Sequence, residues 1–152
     1  MKSIPALIGW IALTFCAALT GFFIQPAGYY AALVKPAWAP PAWIFGPVWT
    51  VLYLMMAVAA WLVWRGGGWR ARSRPLAWYL VQLLLNALWT PLFFGLRNPG
   101  LALAGIVLLG LAIVLTGRAF RPVSRAASWL LVPYLVWVVF AAALNFSIWR
   151  LN

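Results

Sequence analysis

Apolar residues in this chain fall into five long runs, at 4–24, 44–64, 75–95, 101–120 and 127–149. Each holds about 20 residues, the length of helix that crosses a hydrocarbon core ~30 Å thick. The pattern therefore predicts an all-α, polytopic membrane protein, a bundle of five transmembrane helices forming one domain over residues 1–152. Residues 4–24 are expected to remain as a helix rather than be removed as a leader. The run is too long for an h-region of ~7–15 residues, and no small-x-small site closes it. Leu13-Thr14-Phe15-Cys16 faintly resembles a lipoprotein box, but bulky Phe15 stands where a small residue belongs.

The segments between the runs carry breakers. Gly66-Gly67-Gly68 is followed by a basic turn with Arg65, Arg70, Arg72 and Arg74, and Pro75 is suited to open the third helix. Leu96-Arg97-Asn98-Pro99-Gly100 and Arg121-Pro122-Val123-Ser124-Arg125 are short turns. The segment from Gln25 to Ala42 is longer and reads as a loop. Pro36, Pro40, Pro41 and Pro47 cannot share one helix, because each lacks an N–H and restricts the residue before it. Trp38, Trp43 and Trp49 interleave these prolines. A stiff aromatic loop of this kind has two readings: an interfacial tryptophan belt, or a lid over an apolar cavity.

Composition then narrows the chemistry. Hydrophobic residues make up 67% of the chain and the mean hydropathy is +1.00, beyond the usual range for a soluble domain. There are 11 basic residues, no acidic residue and no histidine. Paired-carboxylate catalysis, hard-cation cages, His-assisted nucleophiles and the usual zinc sites are thereby excluded. Cys16 has no partner for a disulfide and is expected to pack as a small hydrophobe. The arginines sit between apolar runs, so the expected partner is the lipid bilayer with its anionic headgroups, and no nucleic acid. Lys2, Arg65, Arg70, Arg72, Arg74, Arg118, Arg121 and Arg125 fall on one side, against Lys35, Arg97 and Arg150 on the other. That split predicts a cytoplasmic N-terminus and an outer C-terminus, with the Trp–Pro loop outside.

Polar and aromatic positions at helical spacing mark a candidate site. Gln82 and Asn86 share a face that Trp89 and Phe93 continue. Trp49, Tyr53 and Met56 form a stripe on the second helix, and Trp137, Ala141 and Asn145 on the fifth. Together they suit an aromatic pocket with a few amides to orient a ligand. The same residues also suit helix-to-helix packing and hydrogen bonding. Pro47, Pro91 and Pro133 lie within spans and can bend them.

Three stretches, YAALVKPAWAPPAWIFGPVWTVLY at 30–53, QLLLNALWTPLFFG at 82–95 and PYLVWVVFAAALN at 133–145, resemble the TspO/MBR family. These are the tryptophan-rich sensory proteins, which include the mitochondrial translocator protein. With the five-span spacing, the likeness covers nearly the whole chain. It implies a five-helix bundle, usually a homodimer, in a bacterial cell membrane here. It also implies a pocket under the first loop for tetrapyrroles such as protoporphyrin or haem, with Tyr30, Pro40, Trp49, Asn86 and Trp137 at matching positions and Trp38 beside Pro40 in the lid. The implied roles are transport, sensing or stress regulation, with no obligatory cofactor. The alternative it carries is slow light-dependent protoporphyrin breakdown using Trp49 and Trp137. Binding is the favoured reading, since the spans offer no proton-transfer residue. The carboxylates of such a ligand need cations near the loop, and Lys35 and Arg97 are the expected contacts. Without histidine no His–iron bond is available, so haem should gain little over the metal-free ring. Two departures stand out. The stretch LALAGIVLLG at 101–110 lacks the acidic residue common in the family near the start of the fourth helix, and Phe146 replaces the Tyr of the sterol motif, so sterol binding is not expected.

Overall fold

The computed structural model of the chain describes residues 3–24 and 27–152. Lys2 of the basic count and Gln25 at the start of the first loop lie outside the described residues. All regular structure among the described residues is helical: α1 (Ser3–Cys16), α2 (Leu19–Phe23), α3 (Ala27–Ala32), α4 (Phe45–Trp64), α5 (Gly68–Thr90), α6 (Pro99–Phe120), α7 (Arg125–Leu130) and α8 (Val132–Leu151). A 3-10 turn at Ala42–Ile44 leads into α4, and a π-helical turn at Pro91–Gly95 extends α5. Four stretches are long and apolar enough to cross a membrane: Ala42–Trp64, Gly68–Gly95, Pro99–Phe120 and Arg125–Leu151. With the shorter apolar α1 they form the five-helix membrane bundle. Its outer surface is apolar, with Leu54, Leu84, Leu108, Val136 and Val139 all exposed.

The breaks within the spans have local causes. The run at 4–24 is not one helix. Ala17 N and Ala18 N bond to Thr14 O and Phe15 O, three residues back, at 3.1 and 3.0 Å. These tightened turns end α1 and set α2 off from it. Cys16, expected inside the packing, is exposed at this break and faces outward. The first loop contains α3, which its flanking prolines concealed. The basic turn after the glycines is already helical from Gly68, and the irregularity falls at Arg72 (φ −127°, ψ 24°). Pro75 lacks the N–H that would reach Ala71, so the helix opens at this turn. In the fifth span Leu131 N bonds to Ser128 O at 3.2 Å, and Pro133 sits in the first turn of α8. Gly67 has φ +140°, and a Cβ there would lie 2.6 Å from the Cβ of Ala71. Asn98 Oδ1 accepts from Leu101 N at 3.0 Å to cap α6, and Ser124 Oγ accepts from Ala127 N at 3.2 Å to cap α7.

Helix α4 is central, packed along α1, α5 and α7, while α6 lies between α5 and α8. Met56, Ala57, Ala59, Ala60 and Val63 of α4 are fully buried, and small side chains here let neighbouring backbones approach closely. Tyr79 is buried against Trp10, 5.7 Å away edge-on, and shares a 2.6 Å hydrogen bond with Thr14. Trp61 Nε1 donates to Ser3 O at 2.7 Å, so α1 starts at the end where α4 finishes. Arg65, Arg70, Arg72, Arg74, Arg118, Arg121 and Arg125 occupy the loops and helix ends there. At the opposite end, Asn152 clips the first loop: its Oδ1 accepts from Val34 N at 3.0 Å and its Nδ2 donates to Val34 O at 2.9 Å.

Candidate functional site

Helix α4 packs closely along α7 but touches α8 little. The space left between the first half of α4 and α8 is a cavity of about 520 Å³, within the ~300–1,000 Å³ usual for small-molecule sites. Phe45, Trp49 and Tyr53 of α4 face Trp137, Ala141 and Asn145 of α8 across it. Asn86 and Trp89 of α5 close one side, Tyr30 of α3 one end, and Phe15 and Gly21 of α1 and α2 another flank. The π-helical turn contributes Phe93 and Phe94 to the wall. Its wide turn is closed by Leu96 N on Pro91 O at 2.8 Å.

The walls are held by a relay of hydrogen bonds between helices. Tyr53 OH donates to Asn86 Oδ1 at 2.8 Å, Asn86 Nδ2 donates to Tyr134 OH at 2.9 Å, and Tyr134 OH donates to Gln82 Oε1 at 2.8 Å. Nearer the loop, Trp89 Nε1 donates to Asn145 Oδ1 at 3.0 Å, and Asn145 Nδ2 donates to Pro99 O at 2.8 Å. The two asparagines are thus bonded into the bundle. Two other polar atoms in residues of the cavity wall are buried without a partner: Tyr30 OH and Trp137 Nε1. Burial raises the Tyr30 phenol above its ordinary value of 10.0, so this hydroxyl is a neutral donor. Phe45 fixes both residues, with its ring 6.1 Å from Tyr30 and 6.0 Å from Trp137.

Nine residues singled out from the sequence meet at this cavity, Tyr30, Trp49, Tyr53, Asn86, Trp89, Phe93, Trp137, Ala141 and Asn145, while Met56 is fully buried away from it. Trp38, Pro40 and Gln82 lie off its wall. Gln82 is fully buried at the far end of the relay, accepting from Tyr134. Trp38 is half exposed, 5.7 Å from Phe140, whose ring rests 5.2 Å from Trp137, so it touches the site at second hand. Lys35 and Arg97 also lie off the wall. Lys35 Nζ donates to Tyr30 O at 2.8 Å and Leu33 O at 3.0 Å, closing the end of α3, and stands 4.8 Å from the centre of the Tyr30 ring. Arg97 lies over Tyr29 at 5.5 Å, with a left-handed backbone (φ 50°).

The profile of the TspO/MBR family matches residues 7–150. The chain is 46% identical to the tryptophan-rich protein TspO of Chlorobaculum tepidum, over 99% of this chain and 98% of that protein. It is 40% identical to the protein of the same name from Archaeoglobus fulgidus, over 100% of this chain and 97% of the other. To the human translocator protein it is 44% identical, over 82% of this chain and 75% of that one. The chain belongs to the TspO/MBR family. It is accordingly an integral membrane protein. No acidic residue stands at the start of α6; Asn98 caps that helix and Asn145 binds the Pro99 carbonyl.

Sequence reasoning missed Phe45 and Tyr134. Tyr134 lies three residues before Trp137, on the same helical stripe, so its position was a usable signal. Phe45 carried none, because it sits at the very start of α4, where helical phase is not yet defined.

Proposed function

We propose that the cavity binds a flat, mostly apolar ring bearing hydrogen-bond acceptors, of the tetrapyrrole class. The observation that carries this reading is the pair of unpartnered donors, Tyr30 OH and Trp137 Nε1, in an otherwise aromatic and aliphatic wall. A buried donor without a partner costs about 1–3 kcal/mol, a cost that an acceptor on a bound ligand removes. The rings of Trp49, Phe45 and Trp137 supply stacking surfaces, worth ~0.5–1.5 kcal/mol beyond area burial. The names of the relatives, tryptophan-rich sensory protein and translocator protein, accord with sensing or transport of such a ligand. The reading includes a homodimer, an N-terminus on the cytoplasmic side, and the loop end outside. Ligand carboxylates would meet Arg97 first, since Lys35 already donates to two carbonyls.

Absorbance titrations with protoporphyrin and with haem test the proposal on wild type, Tyr30→Phe and Trp137→Phe. Each lost donor should weaken binding about threefold to tenfold, and haem should hold no large advantage over the free ring. Unchanged affinity in both variants would overturn the assignment of the donors. Illuminating the protoporphyrin complex separates binding from photochemistry: a new product that Trp49→Phe and Trp137→Phe abolish would favour the enzyme reading.

A further inference from the structure

At the end of the bundle away from the cavity, α6 runs through a tight turn into α7. Arg118, Arg121 and Arg125 line a concavity of about 440 Å³ there, with Pro122 and Val123. The backbone that carries them is fixed at several points. Val123 N and Ser124 N bond to Phe120 O at 2.9 and 2.8 Å, Arg121 N bonds to Gly117 O at 3.0 Å, and Ser128 Oγ donates to Gly117 O at 2.9 Å. Phe120 and Ala127, on either side of the turn, are fully buried. The three guanidinium groups are therefore gathered by a rigid frame and not by flexible chain.

No acidic side chain balances their charge. The sequence contains no Asp or Glu against 11 basic residues. Arg65 and Arg97 lie over the rings of Trp61 and Tyr29, at 5.0 and 5.5 Å. Among the described residues, no hydrogen bond or aromatic ring engages the side chains of Arg118, Arg121 or Arg125. Three like charges held around one concavity repel each other, and an external anion converts that repulsion into attraction. Planar guanidinium forks match a phosphate's oxygens in pairs, which a point charge does not. The level in the membrane also fits. Arg121 directly follows the last residue of α6, and Trp129 of α7 is 71% exposed, the placement of an aromatic anchor among headgroups.

We infer that the α6–α7 turn is a binding site for a phosphate-bearing anion, seated by Arg118, Arg121 and Arg125. An anionic phospholipid headgroup and a soluble phosphate share this chemistry. Native mass spectrometry of the full-length protein in mild detergent distinguishes them. The protein is incubated with phosphatidylglycerol or with zwitterionic phosphatidylcholine, with and without inorganic pyrophosphate. Wild type should retain phosphatidylglycerol in preference to phosphatidylcholine, and R118Q/R121Q/R125Q should retain at least tenfold less. A charge-matched control, R65Q/R70Q/R74Q, should retain the lipid as wild type does. Persistence of the lipid in millimolar pyrophosphate identifies the headgroup as occupant, and displacement identifies the soluble anion as a competent one. Equal retention by wild type and the R118Q/R121Q/R125Q variant overturns the site, as does an equal drop in both triple variants, which would mean diffuse charge only. Should the glutamine variant fail to fold, R118K/R121K/R125K keeps the charge and removes the forks. A loss of about threefold is then expected, and retention equal to wild type overturns the proposal.

Discussion

Helix α4 meets its neighbours in two different ways along its length. Its second half, from Met56 to Val63, is lined with alanines and fully buried side chains, on a helix packed along α1, α5 and α7. Its first half carries Phe45, Trp49 and Tyr53, large rings that stand α8 off and leave the cavity. The same helix thus acts as a close-packing surface at one end and a spacer at the other. Side-chain size along the membrane normal decides which, since lipid tails are as apolar as the helix surface and burial alone gives little drive.

The largest expected effect comes from exchanging these characters. Ala60→Leu adds volume where relative exposure is 0% and should cost about 1–3 kcal/mol by overpacking. Ala141→Leu adds the same volume on the cavity wall, should leave stability within about 0.5 kcal/mol, and should abolish ligand binding. Thermal unfolding in detergent beside a ligand titration measures both. Equal destabilisation by the two would erase the distinction. A smaller effect is expected from Tyr134→Phe. It removes the hydroxyl that accepts from Asn86 and donates to Gln82, at a cost of about 1–2 kcal/mol given the modest worth of such bonds in membrane bundles. Comparing unfolding of this variant with Tyr53→Phe, which removes only one bond, tests the relay; an equal loss in both would show that Tyr134 is not its hub.

The smallest effect concerns pH. Burial raises the Tyr30 phenol above 10.0, so the folded state favours the protonated form. Its contribution is complete below pH 10, the unfolded value, and is lost as pH rises through the folded value. Ligand affinity should therefore be flat between pH 6 and pH 9. A step in that interval which vanishes in Tyr30→Phe would show the phenol ionising early.

Five spans were legible because apolar runs of membrane length leave few alternatives. The pocket stripes on α4, α5 and α8 were legible because helical phase groups residues three and four apart. The break after Cys16 was not, since Phe15-Cys16-Ala17-Ala18-Leu19 contains no residue that resists a helix. Lys35 was placed correctly in the loop and given a ligand to bind. A charge finds the nearest acceptors first, however, and the carbonyls of Tyr30 and Leu33 lie within its own reach. Asn86 and Asn145 stand on the cavity wall, and their amides also bond to other helices. The atoms left over, Tyr30 OH and Trp137 Nε1, are defined only by what fails to reach them.

The two hydrogen bonds between Asn152 and Val34 make a mechanical coupling. They join the residue after α8 to the first loop, so Trp137 on that helix and Tyr30 in that loop are tied by one linkage. Two exposed bonds of this kind hold only about 1–3 kcal/mol together. The linkage therefore behaves like a shear pin, stiff against thermal jostling and able to part under a modest load.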